Sequence, residues 1–223
     1  ARATHGVRSN PSATSMVNAT RALTAMVDAV DRTGAVEQRF LTEAHAMLMA
    51  DDPSEAEQAG RLRTVQNWIG GSDHAPRGAL YVPPPPDLVP QLVDDLLAFS
   101  NRADAPAIAQ AAIAHAQFES IHPFTDGNGR TARILASLAM YRGGYRSSEF
   151  TSLEEWWGGH VGDYYRAFEC LGSEWMDTVD VTPFVEAHIR AQVSQVEALS
   201  LRQATERVLW LALDDATKSI AGG

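Results

Sequence analysis

IHPFTDGNGRTAR, residues 121–133, is the stretch whose reading decides the rest of the chain. It sets a histidine, a carboxylate, two glycines around an asparagine and two arginines on a loop that runs into an apolar helical pattern. Each residue type suits a phosphate-bearing substrate. An imidazole has a reference pKa of about 6.5 and can accept a proton near pH 7, which makes His122 the candidate base. Asp126 is a hard oxygen ligand of the kind Mg²⁺ takes one or two of, with phosphate oxygens and water completing the shell. Gly127 and Gly129 let the backbone approach a ligand so that successive N–H groups point at an anion. The helix that follows adds its own N-terminal N–H groups and the positive end of its dipole. Arg130 and Arg133, three residues apart, fall on one helix face, and each guanidinium can grip phosphate through paired hydrogen bonds.

The run resembles the signature of the Fic family: His, any residue, Phe, any, acidic, Gly-Asn-Gly-Arg, any two, Arg. His122, Phe124, Asp126, Gly127, Asn128, Gly129, Arg130 and Arg133 fill every fixed position. The resemblance implies an all-α Fic-type helical bundle with a short β-hairpin flap over the active site. It also implies transfer of AMP from ATP to a hydroxyl of a target protein, with Mg²⁺ bridging the phosphates and pyrophosphate leaving. By resemblance, His122 deprotonates the incoming hydroxyl and Asp126 holds the metal. Asn128 and the amides of Gly127 and Gly129 bind the α-phosphate, Arg130 and Arg133 bind the outer phosphates, and Phe124 anchors the loop in the core. The rival readings are a Fic-fold transferase of another phosphate-containing group, a nucleotide-binding interaction module without chemistry, and a metal nuclease.

Composition narrows these. The 223 residues are 45% hydrophobic, which suffices for a globular core, and 18 basic against 28 acidic residues give a formal charge of −10. A nucleic-acid binder needs a basic stripe, so nuclease and nucleic-acid partners are disfavoured. Cys170, the single cysteine, excludes an internal disulfide and reads as a core residue. The apolar run at 208–213 falls far short of the roughly 20 residues of a membrane span, and no signal-peptide pattern opens the sequence. The expected setting is a bacterial cytoplasm, or a host cell into which the protein is delivered as an effector.

Outward from the motif, apolar spacing predicts helices over 16–30, 36–49, 87–99 and 105–118, and the motif's own helix ends near Gly143. His45 reads as a core histidine bonded to a backbone group, and His115 as a packed histidine supporting the loop. Glu119, just before the motif, reads as a structural hydrogen-bonding group with metal or base assistance as the alternative. Between 60 and 86 the helical period disappears. Gly70-Gly71 marks a turn between candidate strands at 65–69 and 79–82, and prolines at 83–86 force an extended path. This stretch resembles the Fic flap, so a target protein is expected to dock along residues 64–83. His74 at its tip reads as exposed.

Trp156, Trp157, Tyr164 and Tyr165 read as core packing with adenine contact as the alternative, and His160 as a loop residue. Thr182 and Pro183 start a helix, and a last helix with Leu201, Val208, Leu209 and Leu213 is expected to close the bundle. The division is therefore 1–17 as an N-terminal loop or inhibitory remnant, 18–190 as the Fic domain and 191–223 as a C-terminal helical appendage. Many Fic proteins carry an inhibitory Ser/Thr, three residues, Glu, then Gly or Asn. If Gly6 sets that register, His5 stands at the glutamate and Ala1 at the serine position. Either the usual self-restraint is missing, or it lies upstream or on an antitoxin-like partner.

Overall fold

A computed structural model describes residues 11–50, 56–71, 76–146 and 153–221. Its helices are α1 (Pro11–Thr33), α2 (Gln38–Leu48), α3 (Val89–Ser100), α4 (Ala107–Ile121), α5 (Asn128–Arg142), α6 (Glu154–Gly159), α7 (Val161–Ala167) and α8 (Thr182–Ala221). Ala1, His5 and His74 lie outside the described residues.

Small side chains decide how α4 and α5 meet. Ala107, Ile108 and Ala111 at the start of α4 pack with Ala136, Ala139 and Met140 near the end of α5, so the two helices run antiparallel. Alanines let the two backbones come close. A Cβ on Gly143 would collide with Ala107, so the turn after α5 requires glycine there. The second half of α4 and the first half of α5 face the main core, where Phe118, Ile121, Ala132, Leu135 and Leu138 meet Met26, Leu41, Leu48, Val93 and Leu96 of α1, α2 and α3. Each such fully buried large side chain contributes roughly 1.5–3 kcal/mol. From Ile134 to Met140 every residue of α5 is buried. The motif helix is thus the central rod of the bundle, enclosed all round and not on one face only.

Three expectations need correction. Residues 11–17 are not loop, because α1 begins at Pro11. The two flap strands do not form among the described residues: pairing is confined to one antiparallel bridge, Ile69 with Tyr81. The cause lies in where the second segment sends its polar groups. Val82 N–H donates to Ser173 O at 2.9 Å and Val82 O accepts from Trp175 N at 2.9 Å, and the prolines that follow have no N–H to extend a ladder. Finally, α8 is one 40-residue helix that does not close the bundle. Its first part packs inward through Phe184, His188 and Ala191, whereas Leu201, Val208 and Leu209 are 70%, 64% and 64% exposed. At 1.5 Å per residue it runs to about 60 Å, well beyond helices of 15 residues. No helix among the described residues is long and apolar enough to cross a membrane.

Candidate active site

The loop between α4 and α5 is held almost entirely through its carbonyls. At its start His122 caps α4 with φ 48° and ψ 60°, the one non-glycine residue at positive φ among those described. A left-handed histidine is uncommon, and such strain persists only where the surroundings over-determine it. Arg63 does much of that. It is 2% exposed; its Nε donates to His122 O at 2.9 Å, and its two terminal nitrogens donate to Val65 O at 3.1 Å, Pro84 O at 2.6 Å and Ile121 O at 3.3 Å. The guanidinium therefore sits on the carbonyl-rich end of α4, where the helix dipole favours a cation. Burial lowers its pKa to about 10, so it stays charged. Asn67 adds bonds to His122 O and Phe124 O at 3.3 and 3.0 Å.

Farther along, Phe124 is fully buried and stacks on the His45 ring with centroids 3.7 Å apart. Gly60 N–H donates to His45 Nδ1 at 2.8 Å, which leaves the ring proton on Nε2 to donate to Asp126 O at 2.9 Å. The expectation of a core histidine bonded to backbone holds. Phe124 N–H donates to Asn128 Oδ1 and Asn128 Nδ2 donates back to Phe124 O, both at 2.9 Å. The Asn128 side chain is thus spent on closing the loop, and what it can offer an anion is its backbone N–H. Gly127, at φ 74°, has no room for a Cβ, which would lie 2.8 Å from Met49 Sδ. The first helical bond is Thr131 N to Gly127 O at 3.1 Å. Asn128, Gly129 and Arg130 therefore carry the N–H groups at the open end of α5.

The two arginines part company. Arg130 reaches Met49 at the end of α2, Nη2 to Sδ 3.2 Å. Arg133 lies 5.9 Å over the Tyr164 ring and hydrogen-bonds its hydroxyl. A Cβ on Gly129 would come within 3.2 Å of Arg133 Nη1 and 3.3 Å of Glu119 Oε1, so glycine there lets both side chains approach the mouth of α5. The Asp126 side chain is exposed, with Oδ1 accepting from Gly127 N–H at 2.6 Å.

Glu119 and Tyr164 turn out to belong to the site. Glu119 Oε2 stands 3.4 Å from His122 Nδ1, an ion-pair distance at which the N–H geometry is not yet that of a hydrogen bond. Tyr164 donates to Glu119 Oε1 at 3.3 Å and lies 3.2 Å from His115 Nε2. Burial, then the Glu119 carboxylate, push the Tyr164 hydroxyl well above its usual value, so it remains a donor. The sequence carried one signal for the Glu119–His122 pair, their spacing of three on a helix. Nothing local pointed to Arg63 as a support of this loop, or to Tyr164 over its exposed neighbour Tyr165. His160 stacks on Trp156 at 3.9 Å, and a cavity beside that pair, lined also by Gln195 and Leu199, contains no motif residue.

Behind Arg133 lie His115 and His188, ring centroids 5.7 Å apart, each Nδ1 without a hydrogen-bond partner. Burial lowers His188 to about 4; burial, then His188 and Arg133, lower His115 as well. The unfolded chain binds protons at these positions near pH 6.5 and the folded chain does not, so stability is complete above that pH and falls as pH drops toward 4. His188 alone should remove about 2 kcal/mol between pH 7 and pH 5. Urea unfolding at the two pH values measures this, and His188→Phe should flatten the dependence; an equal loss in that variant contradicts the assignment.

Residues 35–140 match the model of the Fic/DOC family. The protein adenylyltransferase fic-1 of Caenorhabditis elegans is 37% identical over 109 residues, 47% of this chain and 19% of that protein. The protein adenylyltransferase Fic of Nematostella vectensis is 36% identical over 112 residues, 49% of this chain and 22% of that protein. The matches thus span about a fifth of these relatives' length. Among solved structures, a Fic family protein from Desulfovibrio desulfuricans G20 superposes with a TM-score of 0.67 at 27% identity, over 88% of this chain and 56% of that one. Fic-1 from C. elegans shares the fold, with a TM-score of 0.63 at 24% identity over 92% and 55%. The family match, the relatives and the shared helical fold agree that residues 35–140 of this chain are similar to the Fic/DOC family in sequence and in fold.

Proposed function

We propose that this chain is a protein adenylyltransferase, moving AMP from ATP to a Tyr, Thr or Ser hydroxyl of a target protein with release of pyrophosphate. The observation that carries the reading is the placement of His122, on a strained helix cap, six residues before the open N-terminus of a buried helix in a segment whose relatives are named adenylyltransferases. His122 Nε2 takes the hydroxyl proton, the oxygen attacks the α-phosphorus, and the P–O bond to pyrophosphate breaks. The N–H groups of Asn128, Gly129 and Arg130, with the positive end of α5, stabilise charge on the phosphates. Arg130 and Arg133 reach that charge from two sides, from α2 and from Tyr164.

A single carboxylate fits Mg²⁺, which usually enters with phosphate oxygens and water, not an all-protein cage. Among the described residues no group of three or more His, Cys, Asp or Glu side chains forms such a cage, and Asp126 is exposed beside the loop. Asp126 would hold the ion, which when bound supplies charge neutralisation. The target docks along residues 64–83, where exposed Val65 and Leu80 flank the Ile69–Tyr81 bridge and offer a short edge for strand addition.

ATP labelled on the α-phosphate, then on the γ-phosphate, incubated with a cell lysate and this protein, tests the reading. Label should enter protein from the first only. Transfer from the γ-position alone, or from neither, contradicts it.

A further inference from the structure

Glu119 has its two oxygens committed in different directions. One accepts from Tyr164 at 3.3 Å and the other faces His122 Nδ1 at 3.4 Å. Glu119 is 7% exposed, and Tyr164 is itself held by His115 Nε2 and by Arg133, so the carboxylate cannot swing away without breaking a buried network. Backbone strain at His122, φ 48°, brings the ring to this carboxylate.

We propose that Glu119 is a positioning residue that keeps the proton of neutral His122 on Nδ1, leaving the Nε2 lone pair for the substrate hydroxyl. An ionised carboxylate only accepts hydrogen bonds, so it favours the tautomer with N–H on the atom facing it, and a neutral imidazole has just one. When the hydroxyl proton moves to Nε2 and the new O–P bond replaces that to pyrophosphate, the ring becomes a cation beside a carboxylate that stabilises it. This is the division of labour between the aspartate and histidine of serine hydrolases. Separation by 3.4 Å is compatible with this role, since catalytic hydrogen bonds commonly stand long before substrate is seated.

The role rests on the transferase reading, but its first test does not. Protein labelled with ¹⁵N-histidine, with the His122 signals assigned by their loss in His122→Asn, is examined at pH 8 by long-range ¹H–¹⁵N correlation. His122 should show Nδ1–H and an unprotonated Nε2. In Glu119→Gln the amide can also donate to Nδ1, so the proton should shift toward Nε2. The same variant should lower the maximal rate of α-phosphate labelling at least tenfold, with the KM for ATP within twofold of the parent. A parent ring carrying Nε2–H, or a Glu119→Gln spectrum identical to the parent's, overturns the proposal. A Glu119-sensitive tautomer in a protein that transfers no label supports the positioning and sinks the transferase reading alone.

Discussion

His122→Ala is expected to slow α-phosphate labelling of target protein by about 10²- to 10⁴-fold, the usual contribution of a placed general base. Nucleotide binding should survive, because the groups assigned to the phosphates belong to α5 and its open end and are untouched. Alanine tolerates the left-handed cap less well than histidine, which is several-fold enriched there, at a cost of about 1 kcal/mol, so a loss of activity could be read as a loss of fold. His122→Asn separates the two. Asparagine visits that conformation readily but cannot serve as the base, so it should keep the parent's stability and show the same loss. Calorimetry with Mg-ATP beside the labelling assay decides the matter: unchanged labelling in either variant removes His122 from the chemistry.

Arg63→Met should be the most destabilising single change near the site, by about 3 kcal/mol or more. Methionine fills much of the volume and supplies no donor. Each buried carbonyl left without a partner costs about 1–3 kcal/mol, and Arg63 serves Ile121 O, His122 O, Val65 O and Pro84 O together. Urea unfolding should show a lower midpoint with an unchanged slope. Arg63→Lys should recover only part, because an ammonium cannot present the fork of donors that reaches separate carbonyls. A shift below 1 kcal/mol in Arg63→Met would show that the prolines and the end of α4 find other donors. Activity should fall with stability, since the carbonyl of His122 is one of the four.

Helix positions were legible because burial in a bundle repeats with the helical period. Val93, Leu96 and Leu97 of α3, and Ala44, His45 and Leu48 of α2, are buried as that period predicts. Legibility failed where one-sided periodicity was the wrong test. The central helix α5 is buried almost all round, and α8 carries apolar residues that nothing described covers. In the flap, strand-like composition at 65–69 and 79–82 yielded one bridge, because residues 173–175, nearly a hundred positions away, take the hydrogen bonds of Val82.

The order of residues in 121–133 was enough by itself to carry the Fic resemblance and to nominate a loop-to-helix anion cradle and a candidate base, because those depend on neighbours within one or two helical turns. Only the tertiary structure decided which groups support that base and which merely hold the loop. Asn128 was expected on phosphate and its side chain closes the loop on Phe124; Arg130 and Arg133, one turn apart, lead to α2 and α7. Glu119, Tyr164 and Arg63 enter the site from separate stretches of chain. Their roles rest on distances and on unmet hydrogen bonds, and a chain acquires those only when its helices pack.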